Sequence, residues 1–99
     1  FVEVDACGGP VSADTWREYR DAINKTGRPM VHSVCAEGMA NVWEWGMGVG
    51  NQWRVNGDIQ DGWLNILQGL NGVMDIKDLQ NYSGPGGWNV SSNSAHALL

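Results

Sequence analysis

Two aspartates stand where a carboxylate could take part in chemistry. Asp5 ends a short apolar run that starts at Phe1, and it precedes the glycine-rich turn at Gly8. Asp58 follows a short predicted strand, 52–56, and precedes a stretch whose apolar residues have helical spacing. A pair of carboxylates can supply a nucleophile and a general acid or base, so both aspartates are candidate catalytic residues.

Each aspartate also has a structural interpretation. Asp5 could brace the loop that follows its strand, and spacing alone gives this interpretation as much weight as catalysis. Asp58 lies before an amphipathic stretch and three residues before Asp61, which is the usual pattern of a helix N-cap. On pattern alone, capping is the commoner explanation for Asp58. The spacing therefore leaves both interpretations open.

The sequence shows no pattern typical of a metal or nucleotide site. His32 and His96 are far apart and belong to neither an H-x-x-x-H nor a C-x-x-C arrangement. The run from Gly46 to Gly50 lacks the spacing of a dinucleotide-binding loop, and no G-K-[ST] motif is present. We therefore expect neither a metal ion nor an organic cofactor.

Alternating strands and helices are predicted to position the two aspartates. The predicted strands cover 1–6, 30–35 and 52–56. The predicted helices run from an N-cap at Ser12 to a stop at Gly27, over 40–47, and from Asp58 to a stop at Gly72. This alternation is typical of βα units on a parallel sheet. A (β/α)₈ barrel and a doubly wound sheet fit it equally well. In both folds active sites gather at the carboxyl ends of the strands, where Asp5 lies.

Charge and composition disfavour several classes of partner. The formal net charge is −5, which disfavours nucleic acid and anionic membrane surfaces. No run approaches the length of about 18 apolar residues that a membrane span requires, so we expect no membrane association. Six tryptophans and fourteen glycines, with only 17% charged residues, fit part of a larger globular enzyme.

Cysteines and glycosylation sequons favour a secretory compartment. Cys7 and Cys35 permit a single internal pairing, which is a weak indication, since free buried cysteines are common. Three Asn-x-Ser/Thr sequons, at Asn24, Asn81 and Asn89, point to the same compartment.

Four segments match known motifs in order and spacing. They are Glu3-Val4-Asp5-Ala6-Cys7, Thr26-Gly27-Arg28-Pro29 with Ser33-Val34-Cys35, Asn51 to Trp63, and Ser83-Gly84-Pro85-Gly86-Gly87-Trp88-Asn89. Together they resemble glycoside hydrolase family 27, which contains α-galactosidases and α-N-acetylgalactosaminidases. The resemblance covers residues 1–89 and implies an α/β fold, a fragment of a (β/α)₈ TIM barrel from about strand 4 to strand 7.

The resemblance also implies a role for each matching residue. Asp5 aligns with the family's nucleophile, Asp58 with its acid/base, and Arg54 with an arginine that contacts the sugar and the catalytic carboxylates. Cys7 and Cys35 align with a disulfide that ties two strand ends together. The implied reaction is hydrolysis of terminal α-galactosidic bonds with retention, by double displacement. Arg54 would keep one carboxylate ionised, and partial burial would raise the pKa of the other.

The implied partner is an α-galactoside oligosaccharide or glycoconjugate, acted on without metal or cofactor. The implied location is secreted or lysosomal/vacuolar, and Asn24 falls on a sequon that lysosomal members also carry. A homodimer of the full-length protein is compatible with the resemblance.

Three departures from the family pattern keep alternatives open. Glu3 replaces a lysine that donates hydrogen bonds to sugar hydroxyls. Ala36 replaces a glutamate that contacts the sugar at its 2-position, unless Glu37 supplies that contact. After Asn89 the resemblance stops, so we expect a partial catalytic domain over 1–89 and a divergent tail over 90–99. The alternatives are α-N-acetylgalactosaminidase or β-L-arabinopyranosidase specificity, a non-catalytic carbohydrate-binding relative, or an inactive gene fragment.

The chain is expected to be an excerpt of a longer protein. It starts at Phe1, inside a predicted buried strand, and the resemblance places strands 1–3 and 8 of the barrel elsewhere. A (β/α)₈ barrel needs about 250 residues to close its sheet. We therefore expect the isolated chain to be inactive and marginally stable.

Overall fold

Strands and helices alternate along residues 1–91, which are the residues that the computed structural model describes. The strands are β1 (Val2–Asp5), β2 (His32–Cys35), β3 (Gln52–Arg54) and β4 (Trp88–Val90). The α-helices are α1 (Ala13–Lys25), α2 (Val42–Trp45) and α3 (Trp63–Met74). Short 3₁₀ helices cover Met39–Asn41, Gly46–Gly48 and Leu79–Tyr82.

The four strands form one parallel sheet in the order β1-β2-β3-β4. The register places Asp5 opposite Cys35, Val34 opposite Trp53, and Arg54 opposite Val90. A doubly wound sheet reverses its strand order at a switch point, whereas a (β/α)₈ barrel keeps the order of the chain. The sequential order here is that of a barrel segment.

The two faces of the sheet differ in chemistry because side chains alternate along each strand. Val4, Val34 and Trp53 pack on one face with Trp16 of α1, whose side chain is 1% exposed. The Trp16 indole N–H donates to the Val4 carbonyl at 3.1 Å, which ties the helix to the first strand. The opposite face carries the polar residues of the candidate site.

Helix α1 agrees with the prediction at both ends. It begins after Ser12, which occupies the N-cap position without a side-chain capping bond. It ends at Lys25, and Gly27 follows with φ of 69°, a conformation that glycine adopts without strain.

Helix α3 begins later than predicted. Residues 58–62 are not helical, and the helix starts at Trp63 after Gly62, whose φ of 137° is incompatible with a helix. It also continues through Gly72 to Met74. Because Ile59 fits the apolar spacing of the helix, the predicted helix started at Asp58. Gly57 and Gly62 instead permit an irregular loop between these positions. The side chain of Trp63, the first residue of the helix, is 69% exposed.

Strand β4 is additional to the three strands predicted from the pattern and begins at the end of the last matching segment. It forms because Trp88 donates its N–H to the Asn51 carbonyl and Val55 donates to the Val90 carbonyl, at 3.0 Å each. Most of the predicted tail, residues 92–99, lies outside the described residues, although Val90 belongs to β4. Within residues 1–91, no helix is long and apolar enough to cross a membrane.

Candidate active site

The carboxylate of Asp5 lies at the carboxyl end of β1 and accepts two hydrogen bonds. Its Oδ1 accepts from the backbone N–H of Cys7 at 2.6 Å, and its Oδ2 accepts from the Cys35 thiol at 3.4 Å. The Cys7 bond is possible because Cys7 and Gly8 both have positive φ, of 49° and 73°, and turn the chain back toward Asp5. These two donors, the backbone N–H first, hold the pKa of Asp5 below its usual value.

Cys35 lies directly opposite Asp5 in the register and is fully buried. Its sulfur donates to Asp5 and accepts from Nη1 of Arg54 at 3.1 Å. Burial raises the pKa of this thiol to about 12, although the positive charge of Arg54 opposes the rise. Cys35 is therefore a protonated donor at ordinary pH.

Arg54 ends β3 and connects the thiol to the second candidate carboxylate. Its side chain is 2% exposed, while the Asp58 side chain is 76% exposed, and Nη2 lies 2.6 Å from Asp58 Oδ1. Nη2 also lies 3.4 Å from the Asn56 carbonyl, whereas Nε has no partner among the described residues. Burial alone lowers the pKa of Arg54, but the contacts with Asp58 and Cys35 outweigh it and raise the pKa.

These contacts form one chain, from Asp5 through Cys35 and Arg54 to Asp58, along the carboxyl edge of three neighbouring strands. The side chains come together because parallel strands present their carboxyl ends at one edge of a sheet. The arrangement combines a carboxylate that accepts from two donors with a second carboxylate that is exposed to solvent and paired with Arg54.

The structural interpretation of Asp58 is wrong. It does not cap a helix, because α3 starts five positions later and Asp58 binds Arg54 instead. Arg54 is thus paired with Asp58, and the pKa of the other carboxylate, Asp5, is lowered rather than raised as predicted. The structural interpretation of Asp5 is correct as far as it goes, because its bond to the Cys7 N–H does brace the loop.

The predicted disulfide is not formed in this structure. Cys7 is an exposed free thiol, and Cys35 is a buried one whose sulfur contacts Asp5 and Arg54 instead. The cross-link stays a prediction, and a thiol count on the denatured full-length protein tests it.

One group among the described residues has metal-ligating atoms close together. Glu3, Asp5 and Cys35 each offer one atom, and these atoms lie within 4.8 Å of one another. A cysteine binds a metal ion through its thiolate, and in this structure the Cys35 sulfur instead contacts Asp5 and Arg54.

His32 takes no part in this edge. His32 is buried at the opposite end of β2, where its Nδ1 lies 3.1 Å from the Val49 carbonyl, and burial lowers its pKa. His96 lies outside the described residues.

The role of the Cys35 thiol as a partner of Asp5 was missed, because the resemblance assigned that sulfur to a disulfide. Asp5 and Cys35 each end a predicted strand, and the ends of two neighbouring parallel strands lie side by side. This arrangement could have indicated the contact between them. The Ser33 hydroxyl and the Gln52 amide, 3.0 Å apart one step deeper on the same face, were also missed.

The sequence profile of the family described as alpha galactosidase A matches residues 2–94. An alpha-galactosidase A of Cellvibrio japonicus is 40% identical over 102 residues, covering 90% of this chain and 24% of that protein. Alpha-galactosidase 3 of Arabidopsis thaliana is 42% identical over 91 residues, covering 90% of this chain and 20% of that protein.

The solved structure of an α-galactosidase from Saccharomyces cerevisiae is similar as well. Its TM-score is 0.76 at 27% identity, over 91% of this chain and 26% of that chain. The chain thus spans about a quarter of the length of the relatives it matches. The resemblance predicted from the motifs is confirmed, and this chain belongs to the alpha galactosidase A family, as a segment of its (β/α)₈ barrel.

Proposed function

We propose that the full-length protein hydrolyses terminal α-galactosidic bonds with retention of configuration, with Asp5 as nucleophile and Asp58 as acid/base. The proposal is supported above all by the chain of contacts that joins the two aspartates through Cys35 and Arg54. Retaining glycosidases use two carboxyl groups about 5–5.5 Å apart across the scissile bond. The names of the related proteins support the substrate class, an α-galactoside oligosaccharide or glycoconjugate.

The surroundings of the aspartates suit different roles. A nucleophile must be ionised when substrate binds, and the donors at Asp5 favour its anion. An acid/base must give a proton to the leaving group and then take one from water, which requires solvent access. The exposure of Asp58 provides that access. Arg54 contacts Asp58 directly and reaches Asp5 only through the Cys35 thiol.

Comparing the same two substitutions on two substrates tests this assignment. In the full-length protein, Asp5→Asn should abolish turnover of both a disaccharide and an activated aryl α-galactoside. Asp58→Asn should lose on the order of 10²–10⁴-fold on the disaccharide but much less on the aryl substrate, whose leaving group needs little protonation. Equal losses on both substrates in Asp58→Asn would contradict its role, and an inverted product by NMR would contradict retention.

A related specificity is the second candidate, and Ala36 favours it. Ala36 is fully buried in the core and carries no carboxylate, while the next residue, Glu37, is exposed at a φ of 52°. Aryl α-galactoside, α-N-acetylgalactosaminide and β-L-arabinopyranoside should be compared by kcat/KM. Binding of galactose without turnover of any of the three would instead identify a non-catalytic relative.

We also propose that the protein acts in a secreted or lysosomal/vacuolar setting. The three sequons support this location. Fractionation of the source cells with antibody to the full-length protein tests it, and retention in the cytosol would contradict it.

A further inference from the structure

The three sequons of this chain meet different surroundings in the folded protein. Asn24 is exposed in the last turn of α1, and Asn81 is exposed in the 3₁₀ helix Leu79–Tyr82. Asn89 lies in β4 and is only partly accessible. Because an N-glycan is large and hydrated, only an asparagine with an open path to solvent can carry one in a folded protein.

Both ends of the Asn89 amide are engaged in the protein. Its Oδ1 accepts from the indole N–H of Trp53 at 2.5 Å, and its Nδ2 donates to the Leu79 carbonyl at 3.0 Å. Trp53 is fully buried and Leu79 nearly so, so the Asn89 side chain lies between β4 and the core. A sugar on Nδ2 would have to enter the space between β4 and the 3₁₀ helix Leu79–Tyr82, and it would separate them.

Asn81 differs from Asn89 in both exposure and bonding. Its backbone N–H donates to the Asp78 carbonyl at 2.9 Å, which fixes the turn. Its side-chain amide has no hydrogen-bond partner within residues 1–91. A substituent on Nδ2 would therefore replace no internal contact and would extend into solvent.

We propose that Asn81 is an N-glycosylation site of the folded protein and that Asn89, despite its sequon, is not. The co-reactant is a polyprenyl-diphosphate-linked oligosaccharide. The bond from Asn81 Nδ2 to C1 of the first sugar forms, and the bond from C1 to the diphosphate oxygen breaks. Nδ2 gives up one proton, and polyprenyl diphosphate leaves. The proposal requires the secretory location proposed above but not the catalytic roles of Asp5 and Asp58.

Site-resolved mass spectrometry of the full-length protein, secreted from a eukaryotic host, tests the proposal. Peptide N-glycosidase in heavy-oxygen water converts each glycosylated asparagine to a labelled aspartate, so other sequons of the protein do not interfere. We expect the label at Asn81 and none at Asn89. An unlabelled Asn81 overturns the proposal whatever the state of Asn24, and a labelled Asn89 in the folded, secreted fraction overturns its second half.

Three variants provide matched controls. Asn81→Gln should remove the mass of one glycan and leave turnover of an aryl α-galactoside unchanged. Ser91→Ala destroys the sequon of Asn89 but keeps the asparagine itself, so it should change neither the glycan mass nor the secreted yield. Asn89→Ala should lower the yield, because it leaves the buried Trp53 N–H unpaired. A loss of one glycan's mass in Ser91→Ala would show that Asn89 is modified after all.

Discussion

The Asp5 carboxylate receives a backbone N–H from the turn after its own strand and a thiol from the end of the next strand. Neither donor carries a full charge, and the charge of Arg54 is the weakest of the influences on its pKa. This arrangement suits the proposed role of Asp5 as nucleophile, because a carboxylate locked in an ion pair would be a poorer nucleophile. The guanidinium of Arg54 is instead paired with Asp58.

At this scale we expect Cys35→Ala to move the acid limb of the kcat/KM profile to higher pH. The thiol lowers the pKa of Asp5, so its removal raises that pKa. A nucleophile must be ionised. When its pKa is higher, it takes up a proton at a higher pH, so activity is lost earlier as the solution is acidified. Cys35→Ser, which keeps a donor, should restore most of the original profile. The profile is measured on an aryl α-galactoside with the full-length protein.

Cys7→Ala is the matched control for that experiment. Cys7 acts mainly through its backbone N–H, which alanine retains, so the shift should be in the same direction but smaller. If the two cysteines were joined by a disulfide, both alanine variants would lose the same cross-link and lower stability alike. Equal shifts of the acid limb and equal losses of stability in Cys7→Ala and Cys35→Ala would therefore contradict the role of the Cys35 thiol as a donor to Asp5.

At the scale of elements, the loop between β2 and β3 is shaped around one aromatic ring. Trp53 of β3 is fully buried, and Gly46 and Gly87 both lie against its indole. A Cβ on Gly46 would lie 2.7 Å from ring atoms Cγ and Cε3 of Trp53, closer than carbon atoms can approach. The absence of a side chain at Gly46 is thus what lets the short 3₁₀ helix Gly46–Gly48 cover the ring.

We expect Gly46→Ala to destabilise the full-length protein by about 1–3 kcal/mol, the usual cost of overpacking a core. Gly48→Ala, in the same 3₁₀ helix, meets no atom within 4 Å and should change stability by less than about 0.5 kcal/mol. Urea unfolding followed by tryptophan fluorescence measures both values. Equal stability of the two variants would show that the contact with Trp53 does not constrain position 46.

At the scale of the whole molecule, this chain is an open piece of a closed sheet. Strands β1 and β4 are its edges, and each presents an unpaired row of backbone groups within residues 1–91. Helix α3 contains no buried residue, and Trp63, Leu64, Leu70 and Met74 are exposed. Exposed apolar helix positions of this kind are normally covered by neighbouring units of a barrel.

We therefore expect the isolated 99 residues to show no glycosidase activity and only marginal stability. The chain spans about a quarter of the length of its relatives, and catalysis depends on groups that hold the substrate in position, which we expect the rest of the protein to supply. The chain is expressed, its solubility is checked, and an aryl α-galactoside is assayed at acidic pH. Turnover that disappears in an Asp5→Asn control would show that the segment is self-sufficient.

The sequence by itself determined the family, the βα alternation and the candidate aspartates. Motifs such as Trp53-Arg54 and Asp58-Ile59 are local, and a period of 2 or 3.6 residues is visible within a single segment. For that reason β1 and α1 were predicted within two residues of their ends. The start of α3 was not, because Gly62 allowed a loop that the apolar spacing did not reveal.

Only the tertiary structure decided which side chains meet. Asp5 and Cys35 are 30 positions apart, and Trp53 and Asn89 are 36 apart. Contacts at such separations depend on strand order and register, which no local pattern encodes. The same is true of the sequons, since Asn81 and Asn89 have the same motif and differ only in whether the folded chain has already bonded the amide.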